Sequence, residues 1–82
     1  MLTILYFGRL SERAQRRQVS VAMPASVTSI STLKDWLNSE HHLDGALADP
    51  SVKTMVNQTL AHSDLTLKGD EEIGFLPPVG GG

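Results

Sequence analysis

The alternation of apolar and polar positions changes rhythm several times along the chain, and each change marks an element. Leu2-Thr3-Ile4-Leu5-Tyr6-Phe7 is apolar at nearly every position. A period of two puts Leu2, Ile4 and Tyr6 on one face and Thr3, Leu5 and Phe7 on the other, the pattern of a central strand covered on both faces. Gly8 to Arg17 is polar and carries four arginines, so it is predicted as the long turn of a first hairpin, a solvated tip. Gln18 to Met23 alternates Val19, Val21 and Met23 with polar or small residues, as a half-buried strand does, and Pro24 ends it.

The rhythm then becomes helical. Ile30, Leu33, Trp36 and Leu37 recur at i, i+3, i+6 and i+7, one face of a helix that Ser29 can cap and that fades near Glu40 to His42. Leu43 to Pro50 is predicted as irregular or a short helical turn. Val52 to Val56 is a third strand, and Asn57-Gln58 starts a turn. Leu60-Ala61 and Leu65-Thr66-Leu67 are short apolar pieces around a polar tip. Lys68-Gly69-Asp70 is a turn, and Ile73-Gly74-Phe75-Leu76 is a last strand. The order β-β-α-β-β-β puts one main helix on one face of a mixed sheet of four to five strands. The first and last strands are the most apolar, so they are expected side by side at its centre. This α+β arrangement suits a β-grasp, ubiquitin-like fold over residues 1–79, with 80–82 as a glycine tail.

Composition narrows the chemistry. At 82 residues the chain makes one small domain, burying roughly 60–65% of the surface of its unfolded form. A net charge of −2 disfavours a general nucleic-acid binder. No apolar run nears the ~20 residues needed to cross a membrane, and the apolar start lacks a basic lead-in, so a cytoplasmic location is expected. The chain has no cysteine, which removes disulfides, thiolate nucleophiles and persulfide carriage on its own side chains. His41-His42 and His62 lack metal-ligand spacing and are read as solvated surface. Asp70-Glu71-Glu72 is read as an acidic turn, and Trp36 as core.

The final segment, Phe75-Leu76-Pro77-Pro78-Val79-Gly80-Gly81-Gly82, is the most specific. Two prolines fix φ and hold the exit extended; three glycines make a thread without side chains. Val79 to Gly82 can span at most about 13–14 Å. The group at the end of this tether is the α-carboxylate of Gly82.

Three segments resemble the small subunits of molybdopterin synthases, which are ubiquitin-like sulfur carriers. They are Ile4-Leu5-Tyr6-Phe7, Val56-Asn57-Gln58-Thr59-Leu60, and Gly69-Asp70-Glu71-Glu72 running through Phe75 to Pro77-Pro78-Val79 and the glycines. The chain departs from the family at Gly80, where serine or threonine is usual, and at Ser11, where an arginine usually precedes the glutamate. The stretch from Asp70 to Pro77 is one residue longer than in close relatives.

The resemblance implies a chemistry. A carboxylate is a poor electrophile, so an activating enzyme uses ATP to form an acyl-adenylate on Gly82. A sulfur donor displaces AMP and leaves a thiocarboxylate. That sulfur goes to cyclic pyranopterin monophosphate to build the molybdopterin dithiolene. Gly81 lets the end thread, and Phe7, Leu60, Leu76, Pro77, Pro78, Val79 and Gly80 are candidates for docking a partner. The implied partners are the synthase large subunit in a complex of two small and two large subunits, a ubiquitin-activating-like adenylyltransferase, and a cysteine desulfurase or rhodanese system. No bound cofactor or metal is implied, and the catalytic side chains belong to the large subunit. Two alternatives stay open: a related carrier for thiamine, cysteine or tRNA thiolation or a protein modifier, and a ubiquitin-like binding module with an inert tail.

Overall fold

A computed structural model describes residues 1–78. Its elements are β1 (Leu2–Tyr6), α1 (Arg9–Ala14), β2 (Gln18–Val21), α2 (Ile30–Glu40), a 3-10 turn (Ala46–Ala48), β3 (Lys53–Val56), β4 (Thr59–Ala61) and β5 (Glu72–Leu76). The five strands form one sheet in the order β2-β1-β5-β3-β4. β1 and β5 are parallel neighbours in register Ile4 opposite Ile73 and Tyr6 opposite Phe75; every other pairing is antiparallel. The expected neighbours are thus found, with β5 as the middle strand.

Helix α2 forms where the sequence places it. Ser29 caps it reciprocally with Thr32: the Thr32 N–H donates to the Ser29 hydroxyl, and the Ser29 N–H donates to the Thr32 hydroxyl at 2.9 Å. Ile30, Leu33 and Leu37 are buried against Leu2, Ile4, Val27, Leu43, Leu47, Ile73 and Phe75. Each such side chain contributes about 1.5–3 kcal/mol on leaving water. Trp36 is only half-buried and packs on the rim of this cluster rather than within it.

Two expectations about the first third are corrected. The Gly8–Arg17 segment is not a plain loop: Arg9–Ala14 is a short helix. Leu10 and Ala14, four residues apart, reach the core from it, and Gln15 at φ 58° ends it in the left-handed region. The four arginines around it are exposed, as expected. Nor is β1 covered on both faces. Leu2, Ile4 and Tyr6 are buried, but Thr3 and Leu5 are half-buried and Phe7 is exposed. The single main helix covers one face only, so the apolar residues of the other remain open among the described residues.

Two polar residues are buried where surface was expected. His41, at the C-terminal end of α2, lies 2.7 Å through Nδ1 from the Tyr6 hydroxyl and edge-on to its ring. Burial, with the Arg16 charge adding to it, lowers the His41 pKa; burial raises that of Tyr6. Glu71 is also buried, and its carboxylate accepts from the backbone N–H groups of Lys68, Gly69 and Asp70 at 2.8, 2.9 and 3.2 Å. Burial alone would raise its pKa; these donors outweigh that and lower it. The acidic turn is therefore an internal clamp that folds the chain into β5.

Candidate functional site: the open face and the exit of β5

Strand register puts four residues of the open face in one row. Leu5 pairs with Gly74, Gly74 with Met55, and Met55 with Leu60, so the row crosses β1, β5, β3 and β4. Gly74 supplies a gap in its middle. A β-carbon there would lie 3.2 Å from Phe7 Cε2 and 3.5 Å from Met55 Cε, so both side chains close over the bare strand. Phe7 is 39% exposed and Leu60 49%, far above the fully buried Ile73 and Phe75 on the other face. Leu76 follows on the open side, opposite Lys53 and half-buried. An apolar surface of this kind marks an interface.

The row leads to the strand end. The Phe7 N–H donates to the Phe75 carbonyl at 3.1 Å, which extends the β1–β5 ladder one step beyond Tyr6. Pro77 then rests against Gly8, and Pro78 is exposed. A shallow groove beside Phe7 is bordered by Leu5, Arg9, Ser11, Glu12, Arg17 and Gln18, which puts two cations and one carboxylate at the margin of the apolar face.

Of the residues singled out from the sequence, Phe7, Leu60, Leu76, Pro77 and Pro78 thus lie on or beside one surface. Val79, Gly80, Gly81 and Gly82 lie outside the described residues. Leu5, Met55 and Gly74 were missed. Only the glycine carried a local signal, since glycine inside a strand marks a close approach.

A second hollow lies at the other end of α2, lined by Ser31, Lys34, Lys53, His62 and Asp64. The helix end there is already occupied: Asp64 accepts from the Ser31 N–H at 3.0 Å and the Ser31 hydroxyl at 2.7 Å, and these bonds lower its pKa. The buried Thr54 hydroxyl beside it has no hydrogen-bond partner among the described residues. Among the described residues no group of three His, Cys, Asp or Glu is placed to hold a metal, and no helix is long and apolar enough to cross a membrane.

Known proteins share this fold. The chain is 30% identical to the molybdopterin synthase sulfur carrier subunit of Escherichia coli K12, over the whole length of both. The crystal structure of SAMP1 from Haloferax volcanii superposes with a TM-score of 0.76 at 26% identity, covering 99% of this chain and 98% of that one. The solution structure of small archaeal modifier protein 1 from Methanosarcina acetivorans gives 0.78 at 22% identity over 99% and 95%, a likeness of fold. The ThiS family model matches residues 4–82. With its ubiquitin-like β-grasp and a match that runs through the glycine tail, the chain belongs to the ThiS family of sulfur carriers.

Proposed function

We propose that this protein is the sulfur-carrier subunit of a molybdopterin synthase. The observation that carries the reading is the apolar row Leu5–Gly74–Met55–Leu60, capped by Phe7, on the open face of the sheet, next to the end of β5 that Pro77-Pro78 follows. Such a surface docks a protein and aims the following residues into it. The name of the Escherichia coli relative supports the choice of partner. The large subunit covers Phe7, Leu60 and Leu76; Pro77, Pro78, Val79 and Gly80 line the entry to its pocket; Gly81 and Gly82 reach the reacting centre.

The chemistry resides on Gly82. Its carboxylate oxygen attacks the α-phosphorus of ATP on an adenylyltransferase, and pyrophosphate leaves. A persulfide donor then attacks the acyl carbon with its outer sulfur, a C–S bond forms and AMP departs; a second thiol of the donor system breaks the resulting S–S bond, which leaves the thiocarboxylate on Gly82 and a disulfide on the donor. Inside the large subunit the thiocarboxylate sulfur forms a C–S bond to a carbon of the pyranopterin precursor as a C–O bond of that carbon breaks, and water then cleaves the acyl–sulfur bond, returning Gly82 as a carboxylate; two such transfers supply the two sulfurs of the dithiolene. None of these steps requires a side chain of this domain, in keeping with a chain that lacks cysteine. The tether supplies position, an effect that can reach ~7–11 kcal/mol at best.

The test is intact-mass measurement after incubation with the cognate adenylyltransferase, ATP and a sulfur donor. A gain equal to exchange of one oxygen for one sulfur at Gly82 is expected, followed by molybdopterin formation on adding the large subunit and precursor. No gain, with an enzyme that thiolates another carrier, sinks the reading. Deleting Gly82 should abolish transfer and leave thermal stability nearly unchanged.

The Haloferax volcanii SAMP1 likeness favours a second reading, a protein modifier joined through Gly82 to lysines. Isopeptide-linked conjugates in cells, without thiocarboxylate consumption by a large subunit, would select it.

A further inference from the structure

The hollow at the start of α2 takes no part in docking through the open face. It lies where the first turns of α2 pass the rim formed by β3 and β4, and it holds about 310 Å³. That is the small end of the range for ligand sites, roughly 300–1,000 Å³. Ile30 and Val52, both buried, and half-buried Ala61 give it an apolar floor. Thr54 shares that floor. Register sets it between Phe75 and Ala61, on the face that α2 covers, and it is only 5% exposed. Its hydroxyl has no hydrogen-bond partner among the described residues. A hydroxyl taken out of water without a partner is costly, so such groups are few and each calls for a cause. The strand supplies none: Val52 and Val56, two positions to either side, hold the same face with no polar atom.

The rim is built to donate. Lys34 and Lys53 carry donors only, and His62 and Ser63 carry donors as well. The one carboxylate in the lining, Asp64, is spent: its two oxygens accept from the Ser31 N–H and the Ser31 hydroxyl at 3.0 and 2.7 Å. The same bonds close the end of α2, so the helix terminus adds nothing to the site. By formal charge the lining holds two lysines against one aspartate. We propose that this hollow binds a small phosphate monoester, whose phosphoryl oxygens accept from Thr54, Lys34 and Lys53 while its organic body rests on Ile30, Val52 and Ala61. Phosphate suits the site better than a carboxylate, because it offers three acceptor oxygens to donors that come from α2, β3 and the loop after β4. The inference does not depend on the sulfur-carrier reading, since Thr54 and the row through Gly74 occupy opposite faces of the sheet.

The experiment is a titration of the full chain with phenyl phosphate, followed by amide correlation spectra, with inorganic phosphate and phenol as partial probes. Shifts are expected at Lys34, Thr54 and Ser63 and not at Leu5 or Gly74, with a Kd of about 1 mM or below. Each partial probe should bind at least about fivefold more weakly. Thr54→Val should weaken binding by about tenfold and raise the melting temperature by roughly 3–6 °C, because it removes both the ligand's donor and the unpaired hydroxyl. Thr54→Ser, which keeps the hydroxyl, should bind within about threefold of wild type. Lys34→Gln should weaken binding by about tenfold, and Lys68→Gln, a change outside the hollow, should leave it unaltered. Shifts scattered over the surface, equal binding of phenyl phosphate and inorganic phosphate, or equal losses from Lys34→Gln and Lys68→Gln reduce the site to loose charge attraction and overturn the inference. A Thr54→Val protein that melts later but binds as tightly as wild type marks a packing fault alone, and this also overturns it. If Thr54→Val does not fold, Lys34→Gln and the map of wild-type shifts decide.

Discussion

The two faces of the sheet are built from the same kinds of residue and come to opposite ends. On one, Leu2, Ile4, Tyr6, Ile73 and Phe75 are sealed under α2. On the other, Leu5, Phe7, Met55, Leu60 and Leu76 are left half-buried or exposed, and a glycine replaces the side chain at the centre of the row. Apolar content alone therefore does not say what a strand face is for. On the covered face it holds the domain together; on the open face it stays accessible, which is what the docking reading proposed above uses.

That contrast can be broken from either side. The largest effect is expected from Phe75→Ala, which empties a fully buried site and should cost about 3–5 kcal/mol, lowering the melting temperature by ~15 °C or more. Leu60→Glu should do the reverse. Stability, read by urea denaturation, should change by less than about 0.5 kcal/mol. Affinity for the large subunit, read by titration calorimetry, should fall by about 2 kcal/mol, roughly 30-fold. A Leu60→Glu protein that melts early but binds normally would reassign the open face to the core.

A third effect depends on pH. The His41 pKa lies below its ordinary 6.5 in the folded chain, so the unfolded chain binds more protons just below that value. Stability is therefore present above pH 6.5 and is lost as pH falls below it toward the folded pKa. His41→Gln should flatten the melting-temperature profile in that range. Glu71 acts in a separate window: its pKa is lowered from 4.5, so its contribution is lost as pH falls below 4.5 toward the folded value, and Glu71→Gln should flatten that part alone. A profile that His41→Gln leaves unchanged between pH 7 and about 5 would mean the buried pair with Tyr6 does not govern it. The smallest effect concerns the β3–β4 hairpin, where Asn57 and Gln58 both have positive φ, 51° and 68°. Gln58→Gly should stabilise by about 0.5–1 kcal/mol, seen as a higher urea midpoint, with no change at the docking face.

Much of this was legible in the sequence, for identifiable reasons. α2 could be read because its period, its Ser29 cap and its buried residues all agree, and the central β1–β5 pair because both strands are unusually apolar. α1 was missed because only Leu10 and Ala14 of its six residues are apolar, too few to show a helical period among the arginines. Burial of His41 could not be read locally, since its partner, Tyr6, is far away in sequence. Glu71 was misread because a carboxylate among acidic neighbours looks solvated until its three backbone donors are seen. Phe7 and Leu60 were named as docking residues through resemblance, whereas the row that joins them through Gly74 and Met55 depends on strand register. Val79 to Gly82 are the segment that sequence and kinship describe and the fold only introduces.

The position of β5 between β1 and β3 has a consequence for how the molecule is made. β1 and β3 do not touch as neighbours; each pairs with β5 instead. A chain emerging from the ribosome therefore holds two half-sheets with no common partner until residues 72–76 arrive. Contacts this distant in sequence form late and close the structure in one step. The sheet is therefore completed only once residues 72–76 have been made, and a chain cut short before Glu72 should be recognised by quality control as unfolded.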